Sequence, residues 1–226
     1  MENVALIVAA GRGIRFGGDV PKQFRPINGR PLLSWTVAAF ENTSIITDIV
    51  LIVPQEFLLF ANEQVVEPFG FQKVRKIVVG GETRRDSVCR GLKSLSISTR
   101  FVAIHDGARP VVASEDIERV MREAMNNRAA ILARAATDTV KRAEGGFILA
   151  TLERSKIFLA ETPQAFQYDL IMSAFEQAGG SDNVTDDAAL VEKLGFKIKI
   201  VEPRYLNIKV TEEVDLILAR RLLDDR

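Results

Sequence analysis

Three cations and four glycines share one short stretch near the amino terminus, VAAGRGIRFGGDVPK at residues 8–22. The cations are Arg12, Arg15 and Lys22. Glycines let the backbone approach a phosphate chain closely, and fixed cations hold its charge. The stretch is not G-x-G-x-x-G, because Phe16 replaces the third glycine, and it lacks the lysine of a Walker loop. It therefore predicts another kind of phosphate loop or, alternatively, a turn with solvated cations.

A second candidate is HDGARP at residues 105–110, at the end of a predicted strand. Asp106 could accept hydrogen bonds from sugar hydroxyls or help to hold a metal, and Arg109 could pair with a phosphate. Alternatively, the two side chains tighten a turn. His105 is the only histidine, but a nucleophilic triad is disfavoured because the sequence has no G-x-S-x-G elbow.

A third candidate is GGETRRDSV at residues 80–88, where glycines again follow a strand and precede a helix. Such a turn could read the edge of a nucleobase through backbone amides, with Glu82 accepting from an exocyclic amine and Ser87 adding a hydroxyl contact. A capped helix alone would explain the same pattern. Weaker candidates are TDDA at 185–188, NIKVT at 207–211, Asp138-Thr139 and Arg154; zinc-ligand spacings are absent.

The composition excludes several classes of protein. The 226 residues are 47% hydrophobic, with 30 basic and 30 acidic side chains. Because the net charge is zero, a bulk preference for nucleic acid or an anionic membrane is not indicated. Cys89 is the only cysteine, which favours a reducing compartment. With no apparent signal peptide and no apolar run of membrane-spanning length, we expect a cytoplasmic protein without nucleic-acid or membrane partners.

Elements of two kinds alternate along the chain. Short apolar runs predict strands at residues 4–10, 48–54, 76–81, 101–110 and 129–135, and amphipathic segments predict helices at 32–40, 56–69, 84–95 and 114–127. Ser114 is expected to cap the last of these helices. This alternation predicts an α/β fold with a mostly parallel, doubly wound sheet.

The segment 138–154 breaks this alternation. Its two extended halves meet at Gly145-Gly146, which predicts a β-hairpin. An isolated hairpin is marginally stable, so this one is either a sheet edge or an arm that docks on a second subunit. Helices near 168–178, from Thr185 and from Thr211, and a strand at 197–203, are expected to follow. We predict one domain, 1–226, with a projecting arm at 137–155.

Taken in order, AAGRGIRF, PKQF, GGETRRDSV, HDGARP, DTVKRA, TPQAF, TDDA and NIKVT resemble the 2-C-methyl-D-erythritol 4-phosphate cytidylyltransferase family. The resemblance covers about residues 4–220. It implies a Rossmann-like homodimer with crossed arms, which transfers the cytidylyl group of CTP to 2-C-methyl-D-erythritol 4-phosphate with Mg²⁺ and releases pyrophosphate. The ribitol-5-phosphate cytidylyltransferases, which share the loop and PKQF, are the alternative; DTVKRA and TDDA fit the methylerythritol family better.

The resemblance also implies roles for individual residues. Four would be catalytic, with Arg15 and Lys22 at the α-phosphate of CTP, and Lys209 and the partner subunit's Arg154 positioning the sugar phosphate. Asp106 would serve both substrates. CTP would also be cradled by Ala9, Ala10, Gly11, Gly13, Gly81, Glu82 and Ser87, and the sugar-phosphate and ribose region would be lined by Arg109, Thr139 and Thr185. No metal ligand is assigned.

Two positions depart from the family pattern. Glu82 stands where aspartate is usual, and Gly107 stands where alanine is common. Both keep the type of contact, so we expect altered affinity before altered chemistry. A regulatory nucleotide-binding module without transfer activity is the alternative from another class, disfavoured because all five charged positions of the pattern (Arg15, Lys22, Asp106, Arg154 and Lys209) are present. A dinucleotide oxidoreductase is excluded by the glycine spacing.

Overall fold

The computed structural model describes residues 2–11, 20–178 and 184–224. Its centre is a seven-stranded sheet with the strand order β11-β7-β10-β6-β1-β4-β5. The strands are β1 (Glu2–Val8), β4 (Asp48–Val53), β5 (Val74–Val79), β6 (Thr99–Asp106), β7 (Ala129–Ala135), β10 (Phe158–Gln167) and β11 (Lys199–Val201). Two short strands, β2 (Pro26–Ile27) and β3 (Arg30–Pro31), pair with each other beside the sheet.

Helices cover both faces of this sheet. They are α1 (Leu32–Glu41), α2 (Leu58–Phe60), α3 (Arg84–Lys93), α4 (Ser114–Asn127), α5 (Tyr168–Gln177), α6 (Ala188–Lys193) and α7 (Glu213–Asp224). Successive residues of β1 point to opposite faces, with Ala5 and Ile7 in one apolar cluster and Val4 and Leu6 in another. Two cores on two faces explain why the central strands are continuous apolar runs. The predicted doubly wound α/β fold is confirmed.

Strand β10 was missed by the sequence prediction. It lies between β6 and β7 and runs antiparallel to both, whereas the other neighbouring pairs in this sheet are parallel. Its sequence, FLAETPQAFQ, has polar residues in the middle and a proline, a combination that argues against an interior strand. The pairing with β7 shifts register between Ala160 and Gln164, so the central polar residues lie where the ladder is interrupted.

Several predicted boundaries also differ. Residues 55–69 are helical but pass through 3₁₀, α, π and 3₁₀ turns instead of one α-helix. Ser114 is the first residue of α4 and not its cap, because its hydroxyl donates to the Ala39 carbonyl. The helix expected from Thr185 begins at Ala188, and the helix expected from Thr211 begins at Glu213.

The predicted hairpin is present as β8 (Lys141–Glu144) and β9 (Phe147–Thr151). Gly145 and Gly146 form its turn, and both have positive φ, at 56° and 84°. Glycine adopts this conformation without a steric penalty, which is why Gly-Gly marks tight hairpins. Both strands are exposed along almost their whole length, and Phe147, Ile148 and Leu149 are exposed apolar residues.

Four parallel strands end at the same edge of the sheet. β1 is followed by Ala9, β4 by Pro54, β5 by Gly80, and β6 ends at Asp106. The strand order reverses here, since β4 and β5 lie on one side of β1 and β6 lies on the other. Open α/β sheets bind their ligands at such a position.

Candidate active site

A cleft of about 900 Å³ opens at this edge of the sheet. Seven of the predicted nucleotide-binding residues line it: Ala9, Ala10, Gly11, Gly81, Glu82, Ser87 and Asp106. Lys22 and Lys209 line it as well. Gly13 and Arg15 lie outside the described residues. The fold thus brings together positions that are up to 200 residues apart in the chain, although their roles toward a substrate stay predictions.

The turn after β1 is held by a side chain that the sequence analysis did not assign. Gln23, which is buried, donates from Nε2 to the carbonyl oxygens of Ala9 at 2.6 Å and Gly11 at 2.9 Å. It belongs to a 3₁₀ turn, Lys22–Phe24, that follows Pro21. The same turn therefore places Lys22 in the cleft and fixes the backbone of Ala9 and Gly11.

The turn between β5 and α3 is both a capped helix and a wall of the cleft. Thr83 caps α3 in a capping box with Asp86. The Ser87 hydroxyl accepts from the Gly81 N–H at 3.0 Å and donates to the Thr83 carbonyl at 2.9 Å. A Cβ on Gly81 would overlap Asp86, so only glycine fits this close approach. The two interpretations left open for this stretch are therefore compatible.

Charged side chains form a network at the end of β6. Asp106 Oδ1 accepts from Arg84 Nε at 3.0 Å, and Asp106 Oδ2 lies 2.7 Å from Lys209 Nζ. Arg84 Nη2 also donates to Asp187 Oδ2 at 2.8 Å. Burial alone would raise the pKa of Asp106, but Arg84 and Lys209 outweigh it and hold that pKa well below its usual value. Arg109 Nε also lies 3.9 Å from Asp106 Oδ2, as the turn-tightening interpretation expects, so Asp106 is an anion beside three cations.

The pKa values of Arg84 and of its second partner, Asp187, are raised, in contrast to that of Asp106. Burial would lower the pKa of Arg84, but Asp187 and Asp106 reverse the effect and raise it. Asp187 is almost fully buried, and burial raises its pKa despite the opposing effect of Arg84. Arg84 thus compensates two carboxylates that would otherwise be costly to bury.

Arg109 and His105 make intramolecular contacts. Arg109 Nη1 donates to the Asn207 carbonyl at 2.6 Å, and Asn207 Nδ2 donates to the Thr162 carbonyl at 2.7 Å. These bonds hold the NIKVT segment that carries Lys209. Arg109 does not line the cleft, so its contact with a substrate stays a prediction. Burial lowers the pKa of His105 to about 3, so the ring is neutral and inaccessible at pH 7.

Three predicted substrate-binding residues lie away from the cleft in the single chain. Thr139 and Arg154 belong to the arm and are exposed, and Arg154 Nη1 donates to the Thr137 carbonyl at 2.6 Å. Thr185 is exposed just before α6. None of the three contributes to the cleft wall, and their roles toward the substrates stay predictions.

Besides Gln23, sequence analysis missed Arg84, Asp187 and Gln164 in or beside this site. Gln164 donates from Nε2 to Asp186 Oδ2 at 2.8 Å and accepts from the Ala188 N–H at 2.9 Å. All three lie within motifs that the sequence analysis identified. Their hydrogen-bond and ion-pair partners, however, could not be inferred from those motifs. No residue type or spacing could have paired Arg84 with a carboxylate 103 positions later.

The cleft offers a set of donors suited to phosphates. Backbone turns of small residues line it together with Lys22, Arg84 and Lys209, and the last two contact Asp106. Among the residues that the structure describes, no group of three or more His, Cys, Asp or Glu side chains could hold a metal ion.

Comparison with known proteins agrees with this geometry. The family model described as "IspD: 2-C-methyl-D-erythritol 4-phosphate cytidylyltransferase" matches residues 3–225. The chain belongs to this family. The predicted membership is confirmed, and the family model spans both the glycine-rich turn and the residues that surround Lys209.

Individual relatives support the assignment over the full length. The chain is 41% identical to the 2-C-methyl-D-erythritol 4-phosphate cytidylyltransferase of Geotalea uraniireducens (strain Rf4), covering 99% of this chain and 97% of that protein. It is 43% identical to the enzyme of the same name from Pelotomaculum thermopropionicum, covering 100% and 96%. A crystal structure of 4-diphosphocytidyl-2C-methyl-D-erythritol synthase from Anaerococcus prevotii superposes with a TM-score of 0.87 at 29% identity, covering 99% and 96%.

Within residues 2–11, 20–178 and 184–224, none of the helices has the length and apolar character required to cross a membrane.

Proposed function

We propose that this chain joins the 4-phosphate of 2-C-methyl-D-erythritol 4-phosphate to the α-phosphate of CTP, giving 4-diphosphocytidyl-2-C-methylerythritol and pyrophosphate. The chain's membership of the cytidylyltransferase family supports the two substrates. The observation that carries the proposal is the cleft itself, in which Lys22 and Lys209 line the same cavity at the strand-reversal point of the sheet.

The reaction needs no nucleophilic side chain. An oxygen of the acceptor phosphate forms a bond to the α-phosphorus, while the bond from that phosphorus to the bridging oxygen of the β-phosphate breaks. The acceptor phosphate is already ionised, so no base has to remove a proton, and the buried, neutral His105 is not required. Catalysis then depends on positioning the reactants and stabilising the charge that builds on phosphorus.

We assign that stabilisation to Lys22 and Arg15. Lys22 lines the cleft beside the turn after β1, and Arg15 lies outside the described residues but within the same glycine-rich stretch. The turns at Ala9–Gly11 and Gly80–Ser87 supply backbone groups for the nucleotide. Glu82 lines the cleft next to Gly81, where its carboxylate would accept from the exocyclic amine of cytosine.

The acceptor phosphate is assigned to Lys209 and to Arg154 of a second copy. Lys209 lies in the cleft, whereas Arg154 and Thr139 lie on the exposed arm away from it. An exposed two-stranded hairpin with an apolar tip gains stability by packing on another surface. A homodimer with exchanged arms would bury the apolar tip, and it would also bring Arg154 and Thr139 to the partner's cleft.

Magnesium is expected to accompany the triphosphate. Mg²⁺ is usually held by one or two carboxylates together with phosphate oxygens and water. Asp106 is the buried carboxylate of the cleft wall, but both of its oxygens already contact cations. We therefore assign most of the metal's ligands to the nucleotide and water, with Asp106 as the candidate protein ligand. Bound there, magnesium would neutralise phosphate charge and improve pyrophosphate as a leaving group.

We further propose that the protein works in the cytoplasm, because a lone cysteine fits a reducing compartment. Fractionation of the producing cells should recover the activity with the cytoplasmic proteins, and recovery with an exported fraction would contradict this.

The test of function is pyrophosphate release measured with CTP, UTP and ATP against two acceptors, 2-C-methyl-D-erythritol 4-phosphate and ribitol 5-phosphate. We expect turnover with CTP and the methylerythritol phosphate, and strong preference for that pair. Preference for ribitol phosphate would replace the proposed acceptor. Binding of CTP without pyrophosphate release from either acceptor would indicate a regulatory module instead of an enzyme.

A further inference from the structure

Arg84 binds two carboxylates that come from distant parts of the chain. Its Nε lies 3.0 Å from Asp106 Oδ1, and its Nη2 lies 2.8 Å from Asp187 Oδ2. Asp106 ends β6, and Asp187 immediately precedes α6. The guanidinium, at the first position of α3, therefore connects three elements beside the cleft.

Each carboxylate lies beside a group that we assign to binding of the sugar phosphate. The second oxygen of Asp106 lies 2.7 Å from Lys209 Nζ, so the position of Asp106 sets the position of that ammonium. Asp187 is 2% exposed and belongs to the short segment that also contains Thr185. Without Arg84, both carboxylates would lose a cation at a buried site, which forces them to move, to take up a proton or to admit water.

The nucleotide side of the cleft is held by other contacts. The turn at 80–87 is fixed by the hydrogen bonds of Ser87 with the Gly81 N–H and the Thr83 carbonyl, and by the capping box of Thr83 with Asp86. None of these bonds uses Arg84. Loss of its guanidinium should therefore leave the nucleotide turn in place while it frees Asp106 and Asp187.

We propose that Arg84 is a positioning residue for the acceptor substrate, holding Asp106 and Asp187 together so that Lys209 and the Thr185 segment face the incoming sugar phosphate. This inference rests on the proposed cytidylyl transfer. It assigns Arg84 no contact with the reacting atoms; the guanidinium acts through the two carboxylates.

Arg85 offers a matched control on the same helical turn. It carries the same charge, but its guanidinium donates to the Ala178 carbonyl and does not line the cleft. The variants Arg84→Gln, Arg84→Lys and Arg85→Gln should be compared in steady-state kinetics with each substrate, in CTP binding by calorimetry, and in thermal unfolding.

We expect a selective defect in Arg84→Gln. Its kcat/KM for methylerythritol phosphate should fall by about 10²-fold, the size of effect that a misplaced positioning group produces. Its Kd for CTP should rise much less, because Asp106 is the one proposed nucleotide contact that Arg84 holds. All parameters of Arg85→Gln should stay within about twofold of wild type. Arg84→Lys should recover part of the lost activity, since an ammonium keeps the charge but cannot reach both carboxylates with a planar fork.

The pair with Asp187 supplies an independent test. If Arg84 acts partly through Asp187, Asp187→Asn should also lower kcat/KM for methylerythritol phosphate. The fold loss in the double variant should then be smaller than the product of the two single losses. Should Arg84→Gln fail to fold, Asp187→Asn alone still makes the contrast between acceptor kinetics and CTP binding.

Three results would overturn the inference. These are normal turnover by Arg84→Gln, equal weakening of CTP binding and acceptor use, and independent, multiplicative defects of the two variants. Absence of pyrophosphate release by the wild-type protein would instead contradict the proposed function, so the two failures are distinguishable.

Discussion

The network around Asp106 and the arm at 137–155 are built in opposite ways. Asp106, Arg84 and Lys209 meet inside one chain at hydrogen-bond distance, and the carboxylate is largely buried. The arm is exposed on almost every residue, and Phe147 at its tip is 77% exposed. The Asp106 network is therefore assembled by the fold of one chain, whereas the arm is an exposed hairpin with an apolar tip.

This difference has an energetic basis. A charged group can be fixed before substrate arrives only if opposite charges offset the cost of burying it. Asp106 has three such cations, Arg84, Lys209 and Arg109. A two-stranded hairpin has too little apolar area of its own to be rigid. Positioning by the arm consequently depends on what it packs against, and the predictions below separate these two cases.

The largest effect is expected from Lys22→Ala, which removes a cation from the wall of the cleft. We expect kcat to fall by about 10²–10³-fold, as when one donor is lost from an oxyanion site, with the fold intact. Lys76→Ala is the control, because Lys76 lies on β5 outside the cleft and donates to the Ser94 carbonyl. Normal turnover by Lys22→Ala would remove the glycine-rich loop from the mechanism.

The next prediction tests whether the arm completes a neighbouring site. Lys209→Ala and Arg154→Ala should each lose about 10²-fold in kcat/KM, because each misplaces the acceptor phosphate. Mixing the two inactive proteins under conditions of subunit exchange should restore about a quarter of wild-type activity, since half of the dimers are mixed and each holds one intact site. No restoration despite demonstrated exchange would place Arg154 and Lys209 in the same subunit's site or outside it.

The buried network should contribute to stability in a pH-dependent way. Asp106→Asn should lower the free energy of unfolding by about 3 kcal/mol near pH 7, because it breaks a buried ion pair. The pKa of Asp106 is depressed in the folded state, so its contribution is complete above the unfolded-state pKa of about 3.9 and is lost as pH falls toward the folded value. Urea unfolding should therefore show the two proteins converging below about pH 4.

An exposed pair of the same length is the control for that experiment. Asp48 and Arg75 are also 3.0 Å apart, but the Arg75 side chain is 65% exposed. Asp48→Asn should change stability by less than about 1 kcal/mol. Equal changes in the free energy of unfolding for Asp106→Asn and Asp48→Asn would mean that burial does not strengthen the ion pairs of the network.

The smallest change in monomer stability is expected at the arm tip. Phe147→Ser should weaken self-association in sedimentation experiments at decreasing concentration, while monomer stability changes by less than about 0.5 kcal/mol. Leu59→Ser is the control, because Leu59 is also apolar and 67% exposed but lies far along the chain from the arm. If both variants associate like wild type, the tip is not part of the interface.

Sequence reasoning predicted the elements that are locally encoded. The runs that became β1, β4 and β6 are apolar throughout because both faces are covered, and the Gly145-Gly146 turn specifies its own hairpin. Strand β10 was not predictable in this way. Its polar centre is tolerated because the hydrogen-bond ladder with β7 is interrupted there. That interruption depends on the neighbouring strand and cannot be read from the segment's own sequence.

The candidate site likewise contains residues that could be predicted from the sequence and contacts that could not. Positions within two residues of a strand end, such as Ala9 and Gly81, could be predicted because parallel strands end at one edge. The bonds of Gln23 to two carbonyls and of Arg84 to Asp187 depend on tertiary packing between separate segments. Arg109 has a residue type suited to phosphate, yet in this chain it holds the Asn207 carbonyl. Residue type predicted where chemistry is possible, and packing decided which groups face the cleft.

The most direct test of the central claim is a crystal structure of the protein with CTP. We predict the cytosine against the turn at Gly80–Ser87 and an α-phosphate oxygen within about 4 Å of Lys22 Nζ, the range of an ion pair. A triphosphate bound elsewhere, with Lys22 and Asp106 left facing solvent, would contradict the account.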